Sequence, residues 1–553
     1  MNLITYGINT AWMWRSRPEW NAFQAATRCV EKTQQDVLQQ IIGKNQNCQF
    51  AKLFRFSSIQ SIADYQRNVP LMSDEIYEEM LQKIALGEAQ VLTDEPILLL
   101  QPTSGTTRGR RLVPYTASLR AEYQRSVAAW IGNLYSAYPQ IRRGRAYWSI
   151  SPPQHDESVT AAGLRIGFDD DTAYLGVAER WLARRILLAP ADVGKDRNPK
   201  WFRYLTLLSL LAAPDLSLIS IWSPTFLTAL LHELHAHAQQ LVDDLHHGTL
   251  LGANKMRSRA NPRRAKWLAS ILDQQTQSSF DYSQLWPGLA CISCWMDGSS
   301  QLPAQRLKEA WGDVFFQAKG LMATEGAISF PIVGADGCGL AIRSHFYEFQ
   351  QLDTTDELCL LAHELEVGRR YTVVLTTGGG LYRYRLHDIV EVTGRLHQCP
   401  LVRFVGRSNH TSDLVGEKLH ETFVQNCINR LLDTFNLSAT FAMLIPRSIP
   451  NTAHHPDHYY ELLLELRSNN LNQEQLAAVL DQELQQNFHY QVARGLSQLK
   501  SARINLLPGP PGTAWLAYER QRLEQGQILG NIKPVALGVG DLPLNWPSQA
   551  IKA

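Results

Sequence analysis

The sequence predicts an α/β protein with a large N-terminal domain and a small C-terminal α+β domain. Three observations predict it. Short apolar runs of strand length alternate with stretches of helical period, as a sheet covered by helices requires. The 553 residues exceed what one hydrophobic core serves, so two or more domains are expected. The polar, turn-rich run Ser408-Asn409-His410-Thr411-Ser412-Asp413 then separates a long first part from a shorter second one. The expected division is residues 1–407, a hinge over 408–418, and a small domain over 419–553.

Each element has its own signal. Residues 19–90 read as helical, with polar runs such as Glu31-Lys32-Thr33-Gln34-Gln35-Asp36 between apolar positions. Ile97 to Leu100 is an apolar strand candidate. Leu216 to Trp222 reads as a buried strand, followed by Ser223 as N-cap and Pro224 in the first helical turn. The helix then runs to about His247, with Leu227, Leu230, Leu234, Ala238, Leu241 and Leu245 on one face and Gly248 closing it. Cys291 to Trp295 and Val314 to Ala318 are further buried strands. Glu357 to Thr376 alternates as β structure does, before a turn at Gly378-Gly379-Gly380. In the second part, a helix is expected over Leu419 to Phe435, a strand over Tyr459 to Leu466, and a helix over Gln473 to Phe488.

Composition narrows the function. Hydrophobic content of 45% and charged content of 19% describe a folded globular chain. A net charge of +1 gives no global field for nucleic acid or an anionic membrane, so neither partner is expected. The N-terminus, with Trp12, Trp14, Arg15 and Arg17, lacks a signal-peptide core. The longest apolar stretch, Leu205 to Ile221, is broken by Pro214-Asp215. Eight scattered cysteines make no disulfide framework. A cytoplasmic enzyme is expected, with reduced thiols, as a monomer or weak homodimer.

The chemistry concentrates in five clusters. Thr103-Ser104-Gly105-Thr106-Thr107 follows the first strand candidate and leads into Arg108-Gly109-Arg110-Arg111. Hydroxyls, open glycine backbone and cations suit phosphate oxygens, although the spacing is not that of a P-loop. Leu321-Met322-Ala323-Thr324-Glu325-Gly326 follows a strand, and a hydroxyl beside a carboxylate there suits a phosphate oxygen and a Mg²⁺ ion; a turn or helix cap explains it as well. In Tyr382-Arg383-Tyr384-Arg385-Leu386-His387-Asp388, an Asp after a strand could accept two ribose hydroxyls, or the segment is a hairpin with surface charges. Arg407 in Phe404-Val405-Gly406-Arg407 could meet a ribose or phosphate oxygen, or sit at the domain edge. Lys533 in Gly530-Asn531-Ile532-Lys533-Pro534 could neutralise charge on a transferring phosphoryl group, or be solvated.

Taken in order, these clusters resemble the adenylate-forming superfamily. Within it the chain is similar to the Gretchen-Hagen-three family of acyl acid amido synthetases, the auxin-responsive enzymes and their bacterial relatives. Thr103–Pro114 resembles the first ATP motif. Trp286-Pro287, Trp295–Ser299 and Lys319–Gly326 resemble the second motif and its approach. Tyr382–Gly394 resembles the third, Gly406-Arg407 through Asp413–Lys418 the junction, and Lys533 the mobile C-terminal lysine. The sequence departs from the pattern at Arg111, where the family has lysine, at Met322, where an aromatic residue is frequent, and at His387, where glycine is usual.

The resemblance implies a large adenylate-forming domain with a β-barrel-like part and a mobile small domain. It implies ATP and Mg²⁺ as cofactors, and an acyl acid and an amino acid or other amine as substrates. Ser104, Gly105, Thr106, Thr107 and Arg111 would then hold phosphates, Thr324 the α-phosphate and Glu325 the Mg²⁺. Asp388 would hold the ribose with Arg407, and Lys533 would stabilise the adenylation transition state. Two alternatives stay open: an adenylating ligase with a thiol acceptor (coenzyme A or a carrier protein), and a catalytically silent nucleotide-binding relative.

Other groups attract attention without the same support. His232, His235, His237, His246 and His247 crowd one helix, where a solvated edge competes with metal binding. Cys291 and Cys294 stand at C-x-x-C spacing without a second pair, so buried thiols are expected. Arg257, Arg259, Arg263, Arg264 and Lys266 read as a solvated basic face. His155, Asp156 and Glu157 could border an acid pocket or form a polar loop.

Overall fold

The computed structural model describes residues 2–103, 111–149, 158–167, 177–188, 199–249, 260–273, 280–352, 358–449, 457–466, 472–525, 527 and 529–538. By contacts the chain forms two compact units. One joins Met1–Trp295 to Arg306–Phe404, and the other joins Met296–Gln305 to Val405–Ala553. The short segment Met296–Gln305 thus goes with the smaller unit, and no composition change announces this.

In the larger unit the helical N-terminus begins earlier than residue 19. Helix Leu3–Ala26 is capped by Asn2, whose Oδ1 accepts from the amides of Ile4 and Thr5 at 3.0 and 3.4 Å. Three of the expected apolar strands join an unexpected one, Arg145–Trp148, in one parallel sheet in the order Arg145–Trp148, Leu216–Ser220, Cys291–Cys294, Phe315–Ala318. Residues of Leu216–Ser220 and Cys291–Cys294 are buried throughout, which is why these strands read as runs of apolar and small residues with no charge. The helix expected from Ser223 to His247 is two helices, Pro224–Ala236 and Ala238–His247. The break is at His237, which leaves the helical region with φ −127° and ψ 27° while its ring packs edge-on against Tyr204. Gly248 closes the second helix at φ 70°, a left-handed position glycine takes without strain.

The rest of this unit contains a seven-stranded sheet in the order Ser329–Pro331, Cys338–Leu340, Cys399–Arg407, Tyr384–Leu396, Arg370–Thr376, Phe346–Gln351, Cys359–Leu361. Its two edge strands do not pair with each other, so the expected barrel-like part is an open sheet. One core, including Trp12, Phe23, Tyr135, Phe346 and Tyr382, unites the N-terminal helices with both sheets.

The smaller unit is α+β. Strands Ala439–Ile449, Asp457–Leu466 and Arg503–Leu506 form its sheet, and helices Glu421–Thr434 and Gln473–Leu484 pack on it through Val424, Ile428, Leu431, Leu476 and Leu480. The expected helix to Phe488 stops at Leu484, and Asn487 caps a separate helix, Phe488–Gly495, accepting from Tyr490 N at 3.0 Å. The C-terminal segment lies along Ala439–Ile449: Leu444 N donates to Ala536 O at 2.8 Å and Gly538 N to Leu444 O at 2.7 Å.

Candidate functional site

The first cluster lies on a hairpin. Strand Leu99–Pro102 pairs antiparallel with Leu112–Tyr115, and Thr103 N donates to Arg111 O at 2.7 Å, closing the base of the intervening loop. Ser104, Gly105, Thr106 and Thr107 lie outside the described residues. Arg111 emerges at the loop base. Its guanidinium pairs with Asp74 and donates to the Tyr384 hydroxyl at 3.2 Å. Burial works against the Arg111 charge, but Tyr384 and Asp74 more than offset it, and its pKa lies above that of an ordinary arginine.

Thr324 and Glu325 are the two turn residues of a hairpin between Met322–Ala323 and Gly326–Ala327, with Ala323 opposite Gly326. The base of this hairpin is tightly held. The Tyr123 hydroxyl donates to Ala323 O, the Tyr347 hydroxyl to Ala327 O at 2.6 Å, and Ala327 N donates to His345 Nε2 at 3.0 Å. Since Nε2 accepts, the neutral His345 ring carries its proton on Nδ1, which stands 2.9 Å from the buried Glu122 carboxylate. Glu122 also accepts from Gly378 N at 3.0 and 3.1 Å, in the expected glycine turn. A Cβ at Gly378 would lie 2.5 Å from Glu122 Oε1, so only glycine fits the turn this close to helix Ala117–Ala137.

Asp388 does not follow a strand, as the sequence reading expected. It lies within the long strand Tyr384–Leu396, and it is buried. The register with Arg370–Thr376 slips here: Thr372 faces Ile389 and Val374 faces Arg385, so Leu386, His387 and Asp388 stand opposite Val373 alone. The bulge turns the chain through His387, whose φ of 64° is left-handed. This is the position where glycine is usual, and His387 adopts the conformation a glycine would take without strain. Upstream, Arg383 is a buried anchor and not a surface charge. It pairs with Glu348 at 3.0 Å and donates to the carbonyls of Gln66 and Val69 at 3.0 and 2.8 Å.

Arg111 and Glu325 both act on Tyr384. Arg111, from the first cluster, bonds its hydroxyl. Burial pushes that hydroxyl up to about 12, and the charge of Glu325, from the second cluster, pushes the same way. Tyr77 packs edge-on against the Tyr384 ring and donates to Leu112 O at 2.7 Å. Sequence reasoning gave no role to Asp74, Tyr77 or Tyr384. Asp74 begins the helix Asp74–Ala85, where an acidic residue is ordinary, so nothing local marks it. Among the described residues no group of three or more His, Cys, Asp or Glu side chains is placed to hold a metal ion. Glu325 is a single carboxylate at a turn, which fits Mg²⁺ bound mainly through water and phosphate oxygens and not a protein-built cage.

In the smaller unit, Arg407 ends the strand Cys399–Arg407. A Cβ at the preceding Gly406 would come within 2.4 Å of the Thr422 side chain. The stretch 408–418 is closely bonded: buried Glu417 accepts from Leu414 N and Val415 N at 2.7 and 2.8 Å and from the Tyr460 hydroxyl. Lys533 is exposed, and its carbonyl accepts from the Tyr518 hydroxyl at 3.4 Å. Ser299 Oγ donates to Pro534 O at 2.5 Å, tying Met296–Gln305 to the lysine-bearing segment.

The remaining candidates are structural where they are described. His235 Nε2 is 2.8 Å from the Tyr282 hydroxyl, and His237 lies 3.3 Å from Glu233. Cys291 and Cys294 are buried free thiols, and burial raises both, Cys294 up to about 12. Arg264 corrects the reading of a solvated basic face: it is buried and donates to Leu211 O at 2.9 Å and Leu285 O at 2.6 Å, over the Trp267 ring. Arg257, Arg259, His155, Asp156 and Glu157 lie outside the described residues. No helix among the described residues is long and apolar enough to cross a membrane.

Comparison with known proteins covers most of the chain. Three family models match in succession: the GH3 family N-terminal domain over residues 19–315, central domain over 338–407 and C-terminal domain over 423–537. Indole-3-acetic acid-amido synthetase GH3.3 of Arabidopsis thaliana is 23% identical over 502 residues, spanning 85% of this chain and 83% of its own. Jasmonoyl–L-amino acid synthetase JAR4 of Nicotiana attenuata is 22% identical over 415 residues, covering 70% and 71%. The solved structure of GH3.15 acyl acid amido synthetase in complex with 2,4-DB superposes with a TM-score of 0.82 at 18% identity, covering 97% of this chain and 95% of that one. The fold is therefore shared along nearly the whole length.

Proposed function

The chain belongs to the GH3 family, and from that premise we propose that it is an ATP-dependent acyl acid amido synthetase. It adenylates a carboxylic acid and passes the acyl group to an amino acid or other amine. A carboxylate oxygen attacks the α-phosphorus of ATP, and the bond to the bridging oxygen breaks to release pyrophosphate. The amine nitrogen then attacks the acyl carbon, loses a proton, and AMP leaves.

The observation that carries this reading is that Arg111, from the first cluster, bonds the Tyr384 hydroxyl of the third, with Glu325 of the second near enough for its charge to act on the same hydroxyl. ATP and a carboxylate repel, so the site must supply positive charge and hold the reactants in line. In our reading Ser104, Gly105, Thr106 and Thr107 hold phosphate oxygens, and Arg111 faces the phosphates while Asp74 fixes its orientation. Thr324 meets the α-phosphate. Glu325 would hold Mg²⁺, which when bound withdraws charge from the phosphates. Asp388 accepts the ribose hydroxyls with Arg407, and Lys533 stabilises charge on the α-phosphate and bridging oxygen. Lys533 belongs to the smaller unit, so in this reading adenylation needs one orientation of that unit, and the family resemblance implies a second for amide formation. The bonds to Glu417 stiffen 414–417, so we place the pivot at the N-terminal side of the 408–418 stretch, near Arg407.

The test is mass spectrometry of the protein with ATP, Mg²⁺, a pool of aromatic and aliphatic acids, and a pool of amino acids. AMP with a new mass of acid plus amine minus water is the expected result. AMP without an amide would move the acceptor to a thiol. ATP binding without AMP from any acid would overturn the reading in favour of a silent relative.

A further inference from the structure

Lys319 follows the strand Phe315–Ala318, five residues before Thr324, and has no role in the scheme above. It stands at the C-terminal edge of the parallel sheet, where open α/β sheets bind ligands. Its Nζ donates to Ser220 Oγ at 2.7 Å, at the end of the neighbouring strand Leu216–Ser220. The ammonium lies 4.7 Å from the Trp222 ring centre and 5.4 Å from that of Trp130. No ion pair joins it to a carboxylate among the described residues. Burial pulls its pKa down to about 8. The nearby thiols Cys291 and Cys294 give no counter-charge, because burial keeps both protonated.

The surroundings are also short of partners. Among the described residues, Trp148 Nε1, Ser293 Oγ and Gln317 Nε2 are buried without a hydrogen bond. Each lies on one of these parallel strands, and Gln317 Oε1 accepts from Trp130 Nε1 at 2.8 Å. A cation with one hydrogen bond, two ring faces and spare donors is costly to keep, unless an anion arrives from solution. Lys319 as a residue is neither fully buried nor exposed.

We propose that Lys319, with Ser220 and the faces of Trp222 and Trp130, is the subsite that receives the carboxylate of the acyl acid. This rests on the amido synthetase reading, since it assigns the acid's place in that site. A cation here offsets repulsion between the incoming carboxylate and ATP, and delivers the acid beside the hairpin that carries Thr324 and Glu325. The tryptophan faces accept a flat apolar body, so charge and shape are read together.

The test uses sodium benzoate as a minimal ring carboxylate and benzamide as its neutral counterpart, titrated by ligand-observed NMR. Wild-type protein is expected to favour benzoate by at least about tenfold at pH 7, as charge-assisted bonds do. Lys319→Met and Lys319→Gln, each checked for a wild-type circular dichroism spectrum, are expected to lose that preference. The wild-type preference is also expected to fall as pH rises past about 8. A wild type that does not distinguish the two ligands, or a folded variant that still does, overturns the proposal. Benzoate preference without AMP from any acid would leave the subsite standing and sink the ligase reading; amide formation unaffected by Lys319→Met would do the reverse.

Discussion

Replacing Lys319 by methionine is expected to stabilise the protein at neutral pH. Methionine keeps the length of the side chain and removes the ammonium. The fall of the Lys319 pKa from the ordinary 10.5 to about 8 corresponds, at about 1.4 kcal/mol per unit, to about 3 kcal/mol of unfavourable charge burial. Loss of the ring contacts and of the bond to Ser220 returns roughly 1 kcal/mol. The net expectation is a gain of about 2 kcal/mol for the variant at pH 7. The pH dependence identifies the cause. The unfolded lysine keeps its proton up to about 10.5 while the folded one sheds it near 8, so wild-type stability rises with pH across that window. The advantage of the variant is therefore full below pH 8, vanishes near about pH 9.5, and becomes a deficit of roughly 1 kcal/mol above pH 10.5. Urea midpoints of the larger unit at pH 7, 8, 9 and 10, for both proteins, measure this directly. A variant that is less stable at pH 7, with a deficit that does not change through pH 10, would show that the ammonium is well solvated or already paired, and would refute the reasoning.

Other perturbations follow from the same geometry. Glu348→Gln leaves the buried Arg383 guanidinium without its partner and should cost the larger unit about 3–5 kcal/mol; a urea-midpoint loss under 1 kcal/mol would mean that the carbonyls of Gln66 and Val69 suffice. His387→Gly relieves a left-handed residue and should change stability by no more than about 1 kcal/mol in the favourable direction, whereas His387→Val should destabilise by at least as much; thermal melts of both variants decide whether the bulge demands that φ. Lys533→Ala should abolish pyrophosphate release while ATP still binds, and normal release would remove Lys533 from adenylation. Asp388→Ala should weaken ATP binding about tenfold or more, as loss of bonds to a carboxylate does; unchanged affinity in an equilibrium titration would argue against a ribose contact.

What the sequence made legible is what local pattern encodes. The buried strands of the parallel sheet stood out because both faces are covered, so apolar side chains are broken only by small serines. The helix stop at Gly248 was visible because a left-handed terminus selects glycine. The breaks at His237 and after Leu484 were not, because no proline or glycine marks them and the apolar stripe continues across both. The ion pairs were equally hidden. Arg111–Asp74 and Arg383–Glu348 join residues far apart in the chain, as does the contact of neutral His345 with Glu122, and one polar residue looks like another until the partner is known. Arg264 shows the error this causes: in sequence it belongs to a basic run, yet its donors satisfy two buried carbonyls.

The same separation explains how the site is built. The residues proposed for its chemistry sit on turns: Thr324 and Glu325 on a hairpin tip, Arg111 at a hairpin base, Asp388 on a bulge. A turn is recognisable in sequence because it demands particular residues, but it cannot hold its own orientation. That comes from neighbouring groups, such as the buried Tyr123, Tyr347 and His345 under Glu325, and the partly exposed Asp74 beside Arg111. If rigid support at the base is what aligns the reacting groups, then Tyr123→Phe, which removes one hydroxyl bonded to Ala323 O, should leave the fold intact and still disturb the hairpin. Hydrogen exchange at the Gly326 and Ala327 amides would report it: faster exchange with an unchanged melt places the hydroxyl in the support of the turn, and unchanged exchange means that His345 and Tyr347 hold it without help.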